Sequence, residues 1–288
     1  MILAMKTLIT RTITGIVFIA LVIAAFFGPY NVGYAVWLFF VFAMIGTQEY
    51  LQMISKKASP NHWLTMALAA AVYLMAAAPA ICSSDDVKLS WFIISAALAV
   101  LIVAALFISE LYRKKPEPII NIAVAILPVF WIVAPFDLII YLISFWEVPM
   151  LVLALFILIW AYDTFAYCGG SLFGKHPLFK RISPKKSWEG AVISFVLTSV
   201  LAAFFAKIPL FDTVGMSAVQ WAAFACVVIV SSTFGDLTES LFKRSCGVKD
   251  SGKLLPGHGG VLDRFDSMFF AAPAASLIWF FMMMYHNL

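Results

Sequence analysis

Residues 90–109 read SWFIISAALAVLIVAALFIS, 20 positions without a charged side chain, and residues 110–115 read ELYRKK. Twenty residues of α-helix rise about 30 Å, the thickness of a bilayer's hydrocarbon core. The run therefore reads as a membrane span, and Arg113, Lys114 and Lys115 mark the end facing the cytoplasm. Working outward, apolar segments recur at 12–28, 32–52, 62–81, 119–144, 149–168, 190–208, 217–238 and 266–285, which with 90–109 makes nine. The chain of 288 residues is 64% hydrophobic and only 12% charged. An ordinary soluble domain carries roughly 25% charged residues. The mean hydropathy is +1.00. Soluble globular, disordered, collagen-like and coiled-coil classes are excluded.

Of the 19 Lys and Arg residues, all but Lys88 and Lys207 fall in alternate loops. Nine spans put those loops on one side, so the expected fold is an all-α polytopic membrane protein. Its N-terminus is expected in the cytoplasm and its C-terminus outside. The first span follows Lys6 and Arg11 and is bounded by bulky Phe26-Phe27; it reads as an uncleaved span rather than a leader. Segment 119–144 carries Pro128 and Pro135, which suit either one kinked helix or two short ones. Nine spans use about 180 residues and leave no room for a large soluble domain. Chemistry must then come from helix ends and loops. The expected division is an N-terminal bundle of about four spans over 1–118, followed by a catalytic region over 119–288 with polar inner loops 169–189 and 239–265. The net charge of +4 is mild, and no basic stripe of a nucleic-acid binder is present. Cys82, Cys168, Cys226 and Cys246 are scattered, without the spacing of a zinc site or disulfide framework.

Residues 235–239 read GDLTE, and residues 240–266 read SLFKRSCGVKDSGKLLPGHGGVLDRFD. Helical spacing places Asp236, Ser240 and Lys243 on one face. Asp263 and Asp266, three apart, share a face at the start of the last span. Acidic groups from two helices can thus converge at the inner membrane edge, where ionisable side chains are costly and usually functional. Glycines around His258 let backbone N–H groups approach an anion. Carboxylates beside lysines and arginines at a Gly-rich loop suggest a metal–phosphate site, because Mg²⁺ takes one or two carboxylates plus phosphate oxygens. A second constellation reads WAYDTFAYCGG at 160–170 and SPKKSWEG at 183–190. Asp163 lies at an inner span end and needs a partner, for which Lys175, Lys185, Lys186 or a substrate-bound cation are candidates. Ala166 and Gly170 permit close helix packing. Lys185, Lys186 and Ser187 next to a helix start make a phosphate seat. Glu49, Glu110 and Glu117 fall at inner span ends and read as interfacial. Asp137 reads as a kink or a point of water access.

Ser240, Lys243, Arg244, Lys249, Asp250, His258, Gly259, Gly260, Asp263, Arg264 and Asp266 together resemble the signature of the phosphatidate cytidylyltransferases, also called CDP-diacylglycerol synthases. The SPKKSWEG run is similar to another loop of the same family. The resemblance implies that CTP and phosphatidate give CDP-diacylglycerol and pyrophosphate. The reaction would run with Mg²⁺, and with a second, monovalent cation such as K⁺ nearby. It implies a multi-pass inner-membrane protein, a homodimer, with its active site on the cytoplasmic side. Carried over by position, Asp236 and Asp263 are metal ligands, and Lys243, Arg244, Lys249 and Arg264 hold phosphates of CTP and lipid. Asp250 and Asp266 either bind metal or orient a basic neighbour. His258 contacts pyrophosphate or caps the glycine turn. Two other readings stay open, a CTP-dependent kinase of a polyprenol-type lipid and a lipid transporter. The second fits poorly, since transport sites lie near the midplane.

Overall fold

A computed structural model describes residues 2–27, 31–82, 84–252, 254 and 259–286, with the side chains of 2–13, 31, 79, 285 and 286 excepted. The chain is helical almost throughout. In order come α1 (Ile2–Phe27), α2 (Asn31–Ile54), α3 (His62–Ala76), the short α4 (Ala78–Ile81), α5 (Asp85–Tyr112), α6 (Pro118–Pro128) and α7 (Ala134–Ser144). Then follow α8 (Pro149–Phe173), a hairpin of β1 (Pro177–Phe179) and β2 (Ser183–Ser187), α9 (Trp188–Phe205), α10 (Ala218–Ser245), α11 (Leu262–Phe265) and α12 (Met268–His286). Among the described residues, 7 helical stretches are long and apolar enough to cross a membrane, and two shorter apolar helices cover Thr14–Phe27 and His62–Ala76. The protein is an all-α polytopic membrane protein with one small hairpin.

Helix ends follow local chemistry. The Asn61 side chain accepts from Leu64 N at 3.3 Å and starts α3. Ser84 caps α5, whose first turn carries Asp85 and Asp86 against the positive end of the helix dipole. Segment 119–144 is one helical stretch. Its prolines are accommodated by a π-helical turn at Val129–Val133, closed by Ala134 N–H on the Val129 carbonyl. The extra residue in that turn offsets the register where Pro135 has no N–H to give. Asp137 follows at 8% exposure, and its Oδ1 has no hydrogen-bond partner among the described residues.

By packing, the chain forms two compact units: residues 1–146 with 245–265, and residues 147–244 with 266–288. The division at 118 is one of role rather than packing, and it stands as a proposal. In the first unit, Phe265 packs edge-on or tilted against Phe18, Phe42 and Phe136 at centroid distances of 5.4, 5.2 and 5.0 Å. Glu110, expected at the interface, is instead buried, paired with Arg113 and reached by Asn121 Nδ2 at 3.3 Å. In the second unit, Phe205, Phe211, Trp221 and Phe224 form an aromatic core around the buried Trp221.

Candidate functional site

In the second unit, the polar side chains gather where α8, β2, α10 and the turn before α12 meet. Gly190 makes this possible: a Cβ there would lie 2.8 Å from the Ala166 carbonyl and 2.9 Å from Gly170 N. The small residues at 166 and 170 therefore do bring α8 and α9 into close contact. Ser187 caps α9, its side chain accepting from Gly190 N at 3.2 Å. Lys186, beside it, forms an ion pair with Asp236 on α10. Ser240 donates to the other oxygen of Asp236 at 3.3 Å. Gly235 packs on the backbone of Asp266 and Ser267. Burial draws the Lys186 pKa down, but Asp236, and behind it Asp163 and Asp266, outweigh this and hold it above the ordinary lysine value. Its charge is thus kept through the physiological range. The ion pair's contribution to stability fades only as pH rises through that raised value. Asp236 and Asp163 both lie within electrostatic reach of Asp266.

A cavity of about 200 Å³ opens at this cluster, lined by Asp163, Lys185, Lys186 and Ser187 together with Tyr162, Leu178 and Ala191. Those last three residues also line an apolar groove of about 280 Å³, continued by Phe195, Val230 and Phe234. Tyr162 Oη and Thr233 Oγ1, 2.7 Å apart, tie α8 to α10 along this wall. One end of the space is charged and the other is greasy.

Segment 169–189, read from sequence as a polar inner loop, holds the end of α8 and the β-hairpin. Pro177 pairs with Ser187, and Phe179 with Ser183. The backbone N–H groups of Lys175, a candidate partner of Asp163, and of His176 donate to Glu189 at 3.1 and 3.2 Å. Sequence reasoning had not singled out Glu189, although an acid in the first turn of α9 carries that signal. Lys243 is buried and paired with Glu239, one turn earlier on α10. Arg244 is exposed.

In the first unit, the Gly-rich loop returns to the N-terminal helices. Asp263 Oδ2 accepts from Ser251 N and Oγ, each at 2.9 Å, and from Gly260 N at 2.8 Å. Gly259 has φ +84°, and a Cβ there would strike the Asp263 carboxylate, so both the backbone and the space demand glycine. Lys249, Asp250 and Arg264 are exposed. His258 lies outside the described residues. Asp263 and Asp266, expected on one helix face, are separated by a turn at 266–267 that parts α11 from α12. Glu49 was read as interfacial and is instead 5% exposed and engaged with this loop.

Oxygen-rich carboxylate sets of this kind suit Mg²⁺, which takes one or two carboxylates and completes its shell with phosphate oxygens and water. Among the described residues, no group of three His, Cys, Asp or Glu side chains closes around a metal by itself.

The fold is a many-helix membrane fold with carboxylates and lysines gathered at helix ends. The sequence pattern of the cytidylyltransferase family matches residues 9–282, and the chain belongs to that family. It is similar to a phosphatidate cytidylyltransferase of Haemophilus influenzae, 46% identical over 134 residues, which are 46% of this chain and 46% of that protein. One from Thermotoga maritima is 42% identical over 42% of this chain and 45% of its own length. One from Helicobacter pylori is 44% identical over 44% and 46%. The matched stretch thus spans just under half the length of each of these relatives.

Proposed function

We propose that the chain is a phosphatidate cytidylyltransferase, making CDP-diacylglycerol and pyrophosphate from CTP and phosphatidate. The observation that carries this reading is the charged cavity at Lys185, Lys186 and Ser187 sharing Tyr162, Leu178 and Ala191 with an apolar groove. A lipid whose head is a phosphate and whose body is hydrocarbon has the same division. The names of the relatives point the same way.

In this mechanism a phosphatidate phosphate oxygen attacks the α-phosphorus of CTP, and the bond to the β-phosphate oxygen breaks as pyrophosphate leaves. The second pKa of a phosphate monoester is near 6, so the nucleophile is already ionised at neutral pH and needs no strong general base. What remains is positioning and charge balance. Lys185, Lys186 and the Ser187 hydroxyl seat a phosphate. Lys243, Arg244, Lys249 and Arg264 are assigned the remaining phosphates by the signature. The signature also assigns His258, Gly259 and Gly260 to substrate phosphates, with the Gly260 N–H given to Asp263 in this structure. Asp236 and Asp263 are the proposed Mg²⁺ ligands, with Asp250 and Asp266 as further ligands or as partners of neighbouring cations. Bound there, Mg²⁺ supplies neutralisation of phosphate charge, and a monovalent cation such as K⁺ would add to it. Nine spans, a cytoplasmic N-terminus, an inner membrane with the site on its cytoplasmic face, and a homodimer complete the proposal.

The test uses purified protein in detergent with phosphatidate and Mg²⁺, and CTP labelled either in the cytosine ring or at the γ-phosphate. Cytosine label should enter the lipid phase while γ-label is released as pyrophosphate. Transfer of γ-label to lipid would make the protein a CTP-dependent lipid kinase. Neither label in lipid, with substrate movement across vesicles, would make it a transporter.

A further inference from the structure

Glu49 lies near the end of α2, 202 positions before Ser251. Its Oε1 accepts the Val261 N–H at 3.0 Å, and its Oε2 accepts the Leu262 N–H at 3.0 Å and the Ser251 hydroxyl at 3.2 Å. Val261 directly precedes α11 and Leu262 opens it, where the first amides of a helix have no intrahelical partner. Asp263, on the same short helix, takes the neighbouring Gly260 and Ser251 amides. Two carboxylates, one from the N-terminal bundle and one from the loop itself, thereby satisfy the donors of residues 251 and 260–262. A Cβ at Gly252 or at Gly260 would collide with the Glu49 carboxylate, so the loop is shaped to receive it.

The geometry points to Glu49 as a positioning residue of the signature loop: it holds α11, and with it Asp263 and Arg264, in the placement that turnover requires. This rests on the cytidylyltransferase reading. Glu49 makes no contact with substrate in this role. The requirement is for a carboxylate in particular. Two successive N–H donors face two acceptor oxygens, and an amide in their place would turn an NH₂ toward one of them. Misplacing a catalytic group by about 1 Å can cost about 100-fold in rate.

The test compares Glu49→Gln, Glu49→Asp and Glu110→Gln in detergent. Glu110 is the second buried glutamate of this unit, bound to Arg113 and Asn121 and not to the loop. Three quantities are read: kcat and KM, thermal midpoint, and amide hydrogen exchange over 259–265. Glu49→Gln should lower kcat about 10- to 100-fold with little change in KM for CTP, and speed exchange over 259–265. Glu49→Asp should recover part of both. Glu110→Gln should lower the thermal midpoint while the folded enzyme keeps its kcat. Unchanged kcat or unchanged exchange in Glu49→Gln would overturn the inference, as would losses that merely track the thermal midpoint in both variants. If the wild-type chain transferred no cytidylyl group yet Glu49→Gln still loosened 259–265, the positioning would stand and the proposed function would fall.

Discussion

Asp236→Asn is expected to cut cytidylyl transfer by about 100- to 1000-fold, the scale of loss when one preorganised electrostatic group at a reacting centre is removed. Asp236 is where the second unit's site converges. It pairs with Lys186, accepts from Ser240 and faces Asp266. Asparagine has the same shape, and Lys186 keeps Asp163 and Asp266 within electrostatic reach. The thermal midpoint should therefore move little while the rate of cytosine label entering lipid collapses. Retention of more than a tenth of wild-type activity would remove Asp236 from the proposed ligands. Asp263→Asn should match it in activity but differ in one respect. Its Oδ2 serves Ser251 and Gly260, so hydrogen exchange in that loop should rise as well.

The second large effect belongs to Gly235→Ala. A Cβ at Gly235 would lie 2.5 Å from the Asp266 carbonyl oxygen and 3.1 Å from that of Ser267. Both obstacles are backbone, so α10 itself must shift. Overpacking of this sort costs about 1–3 kcal/mol, which matches or exceeds the roughly 1 kcal/mol that alanine returns in a helix. Because the displaced residue is next to Asp236, activity should fall by about 100-fold or more, given what a 1 Å misplacement costs. Gly33→Ala is the matched control. Nothing lies within 4 Å of its Cβ, so it should gain up to about 1 kcal/mol of stability and leave the rate untouched. Thermal melts and the labelled-CTP assay on both variants check the contrast; equal activities would show that the close approach at Gly235 is not needed.

The membrane character was legible because hydrocarbon forces long uncharged runs, and residues 90–109 leave no second interpretation. The start of α9 was legible too, since Lys185, Lys186 and Ser187 were read as lying next to a helix start and Ser187 caps it. The hairpin before it was not. Pro184, Lys185 and Lys186 are weak strand formers, and what holds the turn is Glu189 taking two amides from across it. Segment 119–144 was ambiguous because two prolines fit a kink or a break equally, and the π-helical turn that absorbs them has no composition of its own. Lys186 and Asp236 were each readable as site residues, but their pairing spans 50 positions and no spacing rule reaches that far. Glu49 was hidden for the same reason. An acid at the inner end of an apolar helix looks solvated until the loop that buries it is placed.

That long reach also sets an order of events in time. The Val261 amide bound by Glu49 is made 212 residues after it. At synthesis rates of about 5–20 residues per second, that interval is about 10–40 s. Throughout it, the N-terminal helices can insert and pack, but the end of α2 holds a carboxylate whose partners do not yet exist. A late segment, residues 245–265, is the one that completes the first unit, so a nascent chain arrested before residue 260 presents to the cell's quality control a membrane bundle with an unfilled acceptor at its core.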